Sequence, residues 1–156
     1  GKIAWKGFDL EVLFQGAAGM SVNILDNKNQ VMAFVNNGNA YDIAKGAWAY
    51  YPEQGIDTRA TARYPRLTTQ SNENNYQTSS MWVKNADYLK LRNLELGYNF
   101  NAMRLQKAGV ENLRVYLSAQ NLLTFSGLLK HYNMDPEKIS GYPTIKSYNV
   151  GVSITF

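Results

Sequence analysis

Apolar and polar residues alternate along the last part of the chain, between residues 145 and 156. The apolar positions of this segment are Tyr148, Val150, Val152, Ile154 and Phe156. The residues between them are small or polar, namely Ser147, Asn149, Gly151, Ser153 and Thr155. Side chains of a strand point alternately to its two faces, so the pattern predicts a strand over residues 145–156 with one apolar and one polar face.

The same alternation predicts four further strands, over about residues 1–5, 8–25, 81–100 and 113–125. Asn121 is the one polar residue on the apolar positions of the fourth. Between Tyr88 and Leu91 the order of polar and apolar residues inverts, which indicates a bulge or an exit from the half-buried zone. Lys6 and Gly7 are typical of a two-residue hairpin between the first two strands.

The connections between these strands are alternately short and long. Residues 6–7 and 101–112 are the short ones, with a helical turn expected around Met103 to Lys107, whereas residues 26–80 and 126–144 are long. Successive connections of an up-and-down sheet lie at opposite ends, so the long ones share one end. This is typical of a transmembrane β-barrel with short periplasmic turns and long extracellular loops. A soluble β-sandwich also alternates, but its strands are usually about 5–6 residues long, whereas about 9–11 residues cross a bilayer.

Aromatic residues lie near the ends of the predicted strands, where a barrel meets the two water interfaces. Trp5, Phe8 and Phe100 fall at the short-turn end, together with Phe156, which we interpret as the aromatic signal for barrel assembly. Because a membrane barrel needs about eight strands, five strands cannot close one. The chain would therefore either assemble with other copies into a barrel or form the C-terminal part of a larger one, and the strand already in progress at Gly1 favours the second.

Composition alone suggests a different kind of protein, because the mean hydropathy is −0.37. That average mixes an apolar strand face with a polar face and long polar loops. No apolar run approaches the ~20 residues of a membrane-spanning helix, which excludes a helical membrane protein. The net charge of +4 is scattered along the chain, which argues against a nucleic-acid partner. There is no cysteine, hence no disulfide and no thiolate metal site.

Several segments resemble the SusC/RagA family of TonB-dependent outer-membrane transporters. They are YLKLRNLELGY (88–98), LRVYLSAQNLLTFSG (113–127), MDPE (134–137), SYNVGVSITF (147–156), KGFDLEVLFQGAAG (6–19) and ARYPRL (62–67). Together they follow the family order along most of the chain. The chain departs from the family pattern between Val31 and Asp57, inside the longer predicted loop.

The resemblance implies an all-β fold, a 22-stranded transmembrane antiparallel barrel in the cell outer membrane with an N-terminal plug. It implies import of oligosaccharides or peptides with a SusD-like surface lipoprotein, driven through TonB, which contacts an N-terminal region outside this chain. The other expected partners are outer-membrane lipid and the rest of the same barrel. The alternative is a soluble all-β surface or adhesin-type domain that binds ligands with its aromatic loop.

The polar positions of the strands are candidates for the barrel lumen. They are Asp9, Glu11, Gln15, Glu95, Arg114 and Gln120. These side chains could contact the plug or the path of the solute, but simple hydration of a polar interior is the favoured explanation for any single one of them. Glu95 and Arg114 lie on neighbouring strands, where they could form an ion pair.

The long loop at residues 26–80 carries the candidate ligand-binding residues, which are all aromatic. They are Tyr41, Trp48, Tyr50, Tyr51 and Tyr64. Flat rings stack on the apolar faces of sugars, so a glycan platform is one interpretation. The other is a short amphipathic helix over residues 40–49, since Tyr41, Ala44, Lys45 and Trp48 have helical spacing. Tyr41 and Trp48 would then pack that helix against the loop or a partner.

Residues for catalysis or metal binding are sparse. Asp135 and Glu137 flank Pro136 with His131 nearby, and they could bind Ca²⁺ or cap a turn. Two carboxylates without a recognisable loop pattern favour the cap. No Ser-His-Asp set, HExxH, CxxC or phosphate-binding glycine loop is present. The sequence therefore predicts neither an enzyme nor a cofactor or metal site.

Overall fold

The computed structural model describes residues 1–100 and 109–156, so the helical turn expected around Met103 to Lys107 lies outside the described residues. The chain divides into two compact units. The sheet unit consists of the described parts of residues 1–18, 88–126 and 144–156. The loop unit consists of residues 19–87 and 127–143.

The sheet unit is a five-stranded antiparallel sheet, which confirms the predicted all-β antiparallel fold class. Its strands are β1 (Lys2–Trp5), β2 (Phe8–Ala17), β7 (Tyr88–Asn99), β8 (Asn112–Ser126) and β9 (Ser147–Thr155), in the spatial order β1-β2-β7-β8-β9. Lys6 and Gly7 have φ values of 48° and 90°. Positive φ at both central residues defines the two-residue turn that joins β1 to β2 as predicted.

A β-bulge at Arg92 explains the inverted polarity between Tyr88 and Leu91. Leu13 pairs with Asn93 and Phe14 with Leu91, so Arg92 is the extra residue of β7. The bulge moves Leu91 onto the same face as Leu94 and Leu96 further along the strand. One face of β7 is therefore apolar along its full length, although the sequence alternation breaks in the middle.

Asn121, the polar residue among the apolar positions of β8, lies opposite this bulge. Its backbone is left-handed, with φ of 53°, a conformation that Asn adopts more readily than most residues. Its side-chain oxygen accepts a hydrogen bond from Arg92 Nη1 at 2.9 Å. Its amide nitrogen donates to the carbonyl oxygen of Ile145 at 3.1 Å. Through these two hydrogen bonds, the side chain of Asn121 links β8 to β7 at the bulge and to the segment just before β9.

The apolar side chains of the sheet are exposed and charged side chains on its other face are buried, which is the reverse of a soluble domain. Apolar side chains such as Val150 (75% exposed), Ile3 (69%) and Leu117 (55%) form one face. On the other face, Asp9 and Lys90 are only 6% and 1% exposed. A soluble protein buries apolar side chains and leaves charged ones in water. This sheet therefore presents its apolar face to a medium other than water.

An aromatic cluster marks one end of the apolar face, near the β1–β2 turn. The rings of Phe8 and Tyr98 lie 4.6 Å apart, and those of Tyr98 and Phe100 lie 4.9 Å apart. Trp5, the last residue of β1, pairs with Phe8 and is 67% exposed. This is the kind of aromatic belt expected at a lipid–water interface.

The loop unit has its own secondary structure and core. Its elements are β3 (Ser21–Asn23), α1 (Lys28–Val31), β4 (Tyr50–Tyr51), β5 (Ile56–Asp57), β6 (Val83–Asn85) and α2 (Gly127–Tyr132), with 3-10 turns at Ile24–Asp26, Val35–Asn37, Asp42–Gly46 and Pro52–Gln54. β3 pairs with β6, and β4 with β5. The buried core includes Ile24, Val31, Trp82, Leu128 and Met134. In the described part of the chain, no helix has the length and apolar character needed to cross a membrane.

Three sequence predictions are corrected by the structure. The strand over residues 8–25 is not continuous, because β2 ends at Ala17 and Gly19 has φ of 75°. The strand over residues 81–100 is likewise two strands, β6 and β7. The helix over residues 40–49 is reduced to the 3-10 turn Asp42–Gly46. There the chain leaves the helix because the backbone of Gly46 and Trp48 bonds to Arg63 and Tyr64.

Candidate functional site

The six candidate lumen residues all lie on the polar face of the sheet, and each contacts a neighbouring strand or turn. Glu11 is 3.6 Å from the Lys2 ammonium. Gln15 Oε1 accepts a hydrogen bond from Arg92 Nε at 2.8 Å. Gln120 Oε1 lies 3.4 Å from the Ser147 hydroxyl. Whether this face borders a lumen stays a prediction, but its polar side chains link β1, β2, β7, β8 and β9.

Arg114 is the centre of the strongest of these links. Its Nε donates to Asp9 Oδ2 at 3.1 Å, and its Nη2 donates both to Asp9 Oδ1 and, at 2.7 Å, to Glu95 Oε1. Asn99 Nδ2 donates to the same Asp9 oxygen at 2.8 Å. The Glu95–Arg114 pair expected from the sequence is therefore present. The structure adds Asp9, so one guanidinium joins β2, β7 and β8.

Glycine at position 97 makes room for this cluster. Gly97 pairs with Asp9 on β2 and with Tyr116 on β8. A Cβ at Gly97 would lie 2.7 Å from Arg114 Nε and 2.7 Å from Asp9 Oδ2. Gly151 on β9 plays a similar role, because its missing side chain leaves space for the ring of Tyr116. The polar face is therefore flat where the guanidinium and the phenol ring lie across the sheet.

We expect Gly97→Ala to destabilise the protein, although Ala is normally favoured over Gly within a strand by roughly 0.5–1 kcal/mol. The new methyl group would push Arg114 away from Asp9, and such overpacking costs about 1–3 kcal/mol. The measurement is the guanidinium unfolding midpoint of the full-length protein in detergent micelles. Gly127→Ala is the matched control, because nothing lies within 4 Å of a Cβ there. Equal midpoints for the two variants would show that the cluster does not depend on Gly97.

The five candidate aromatic residues of the loop fall into two places. Trp48 and Tyr64 line one surface cavity, whose other walls include Arg59, Arg63 and Arg66. Tyr41, which is 48% exposed, lines a separate cavity of about 620 Å³ near residues 133–143. The rings of Tyr50 and Tyr51 each lie next to the guanidinium group of an arginine that lines the first cavity. The guanidinium of Arg59 lies 3.8 Å from the centre of the Tyr50 ring, and that of Arg66 lies 5.7 Å from the Tyr51 ring.

Arg59 also forms an ion pair with Asp57. Its Nε and Nη2 donate to the two carboxylate oxygens at 2.9 and 2.8 Å, and its backbone N–H donates to Oδ1 at 3.1 Å. The guanidinium hydrogen bonds, with the backbone bond, lower the pKa of Asp57 to about 2. Asp57 therefore stays charged and keeps Arg59 in place at every pH the protein meets above that value.

Tyr64 has a structural role beside its place in the cavity wall. Its ring stacks on Trp82 at 5.7 Å, and Tyr76 stacks on Trp82 at the same distance. The Trp82 indole N–H donates to the Asn75 carbonyl at 2.8 Å. Burial, aided by a hydrogen bond with Tyr132, raises the pKa of the Tyr64 hydroxyl. Tyr64 thus connects the cavity to the core of the loop unit.

Sequence reasoning did not identify Arg59, Arg63 and Arg66 as candidate residues. Arg63 and Arg66 lie in ARYPRL, three positions apart on either side of Tyr64 and Pro65. Two cations at that spacing, close to an aromatic-rich segment and with no acidic residue between positions 58 and 72, were the available signal. Their convergence with Arg59 depends on the fold of the loop and could not be read from spacing alone.

The remaining candidates have simpler placements. Asp135 Oδ1 accepts the backbone N–H of Glu137 at 2.9 Å, and the Lys138 N–H donates to the Asp135 carbonyl at 3.0 Å. This is the turn cap favoured by the sequence. Among the described residues, no group of three or more potential metal ligands is found. Phe156 follows β9 and is 80% exposed, and its role as an assembly signal stays a prediction.

Comparison with known proteins points to one group of membrane receptors. No protein-family model matches the chain. TonB-dependent receptor P3 of Formosa agariphila is 25% identical over 171 residues, which cover 99% of this chain and 15% of the receptor. TonB-dependent receptor P26 of the same organism is 25% identical over 170 residues, covering 99% and 16%. The chain thus spans less than a fifth of the length of these relatives.

Solved structures give the same result for the fold. The structure of the RagAB peptide importer in the closed-closed state matches with a TM-score of 0.68 and 26% identity, covering 98% of this chain and 16% of that chain. The open-open state of the same importer matches with a TM-score of 0.67 and 26% identity. The similarity extends over both the sheet unit and the loop unit, since nearly the whole chain is covered.

Proposed function

Because the chain resembles part of a TonB-dependent receptor of the SusC/RagA type, as its sequence predicted, we propose that it works within an outer-membrane nutrient importer. In this proposal the sheet unit supplies five strands of the transmembrane barrel. The loop unit lies on the extracellular side and meets a SusD-like lipoprotein and the incoming oligosaccharide or peptide. TonB supplies the energy through a region of the receptor outside this chain.

The exposure of the sheet is the observation that carries this proposal. Val150, Val152 and Ile154 are 75%, 58% and 49% exposed on one face of β9. The same face continues across the other long strands with exposed Leu96, Leu117 and Phe14. Contiguous apolar surface of this kind is rare on soluble monomers. Lipid chains would cover it and remove it from water without a protein partner. A soluble adhesin-type domain would have to cover this face in another way.

The polar face suits the interior of the barrel. Its charges are compensated within the sheet, as in the Asp9–Arg114–Glu95 cluster, which fits a surface next to water or to the plug. These groups hold neighbouring strands together and need no chemistry of their own. The function proposed is therefore transport, with no catalytic step assigned to this chain.

The proposal is tested on the full-length receptor in its own cell. We expect the receptor in the outer-membrane fraction, with heat-dependent mobility in gels as for other closed barrels. Deleting the receptor gene, or removing TonB, should abolish growth on the imported nutrient, and restoring the gene should rescue it. A screen with oligosaccharides and with peptides as sole nutrient identifies the class. A receptor found in the soluble fraction would contradict the proposal.

A further inference from the structure

A surface cavity of about 370 Å³ in the loop unit has a strongly cationic lining. Its lining residues include Trp48, Asn75, Met81 and three arginines, Arg59, Arg63 and Arg66. Among the described residues that line it there is no aspartate or glutamate. Three arginines in the lining of one cavity create a local positive potential that attracts anions.

Two of the three positive charges are left for a ligand. Arg59 is paired with Asp57 at 2.8 Å, so its charge is largely compensated. Within the described part of the chain, neither Arg63 nor Arg66 forms an ion pair; Arg66 Nη2 lies 3.4 Å from the Tyr51 hydroxyl instead. A guanidinium presents parallel N–H groups that match a carboxylate. The cavity is therefore suited to an acidic group.

The walls of the cavity are fixed before any ligand arrives. The backbone N–H of Trp48 donates to the Tyr64 carbonyl at 2.9 Å, and that of Arg63 donates to the Gly46 carbonyl at 2.9 Å. The Thr58 hydroxyl accepts from Ala49 N–H at 2.7 Å, which ties the two sides together again. A site held in this way loses less entropy on binding than a mobile loop would.

The cavity forms where two different segments of the chain meet, since Trp48 comes from one and Arg63 and Arg66 come from the other. The parallel bridge between Ala47 and Tyr64 joins the two segments beside the cavity.

We infer that this cavity binds an oligosaccharide that carries a carboxylate, such as a uronic acid. Arg63 and Arg66 would bind the carboxylate, the face of the Trp48 indole would pack on the apolar face of the sugar ring, and the Asn75 amide would bond a hydroxyl. The inference rests on the proposed function and narrows its ligand. An acidic peptide such as tetraglutamate would satisfy the arginines but would offer no sugar ring with an apolar C–H face to Trp48.

The test is isothermal titration of the purified full-length receptor with three probes of equal length. They are tetragalacturonate, a neutral galactose tetrasaccharide and a tetraglutamate peptide. We expect tetragalacturonate to bind more tightly than either of the others, and its affinity to fall as salt is raised, because salt screens exposed charges. Equal binding of the neutral sugar, equal or tighter binding of the peptide, or binding of none of the three would overturn the inference.

Substitutions of the cavity arginines test whether tetragalacturonate binds in this cavity. Arg63→Gln and Arg66→Gln should each weaken tetragalacturonate binding by about tenfold or more, since each removes a charge-assisted hydrogen bond. Lys45→Gln is the matched control: Lys45 is an exposed cation of the same loop unit that pairs with Asp42 and lies outside the cavity lining. Unchanged affinity in both arginine variants would also overturn the inference. Growth and TonB dependence are measured separately, so this result can fail while the proposed importer function stands.

Discussion

Replacing Val150 with arginine is expected to destabilise the full-length protein by about 2–4 kcal/mol in a bilayer, the usual penalty for arginine on the lipid face near the midplane. Val150 lies in the middle of β9, opposite Leu117 on β8, and is 75% exposed. If lipid covers this face, the arginine must be taken out of water or must draw water into the membrane. The measurement is equilibrium unfolding by guanidinium in lipid vesicles.

Asn149→Arg is the matched control for this prediction. Asn149 is the preceding residue, and it pairs with Ser118 on the polar face of the sheet. An arginine there remains among polar groups, so we expect a much smaller change in stability. Similar losses for Val150→Arg and Asn149→Arg would show that the two faces do not meet different media.

Replacing Trp82 with alanine is expected to have the largest effect on the loop unit. Trp82 is 1% exposed, stacks on the rings of Tyr64 and Tyr76, and donates its indole N–H to the Asn75 carbonyl. Removing a buried aromatic side chain of this size typically costs about 3–5 kcal/mol. Hydrogen exchange of the loop segments should therefore accelerate by about a hundredfold or more, because each 1.4 kcal/mol is a factor of ten.

Trp48→Ala provides the comparison, since Trp48 is exposed and lies in the same unit. We expect a clearly smaller acceleration of hydrogen exchange in the core segments, because Trp48 is 36% exposed and lies outside the buried core cluster. Equal acceleration in the two variants would mean that Trp82 is not the centre of the core. The pair of variants thus separates a tryptophan that builds the loop from one that faces the cavity.

The long strands could be predicted because period-2 alternation is a local property of the sequence. Even the irregular point of β7 left a signal, since the inversion before Arg92 and the polar Asn121 mark two sides of the same bulge. The Lys6–Gly7 turn was equally clear, because its positive φ values favour a small set of residues. These features depend on neighbours along one or two strands.

The loop unit could not be predicted to the same depth, because contacts between distant segments determine it. The helical spacing of Tyr41 and Trp48 is genuine, but the backbone of Trp48 pairs with Tyr64 and leaves the helix. Gly46 permits this change, since its missing Cβ lets the ring of Tyr64 approach. The arginine cavity arises from the same contacts, which explains why sequence reasoning found its aromatic residues and missed its cations.

The most direct test of the account is a nitroxide scan of β9 in the full-length protein in lipid vesicles. The chain has no cysteine, so single cysteines introduced from Ser147 to Thr155 give clean labelling sites once any cysteines elsewhere in the full-length protein are replaced. We expect collisions with oxygen, which concentrates in lipid, to peak at residues 148, 150, 152 and 154 and to fall at the positions between them. A polar nickel reagent should not reach those four positions. Accessibility without this period of two, or nickel access at residues 150 and 152, would contradict the assignment of a lipid-facing barrel strand.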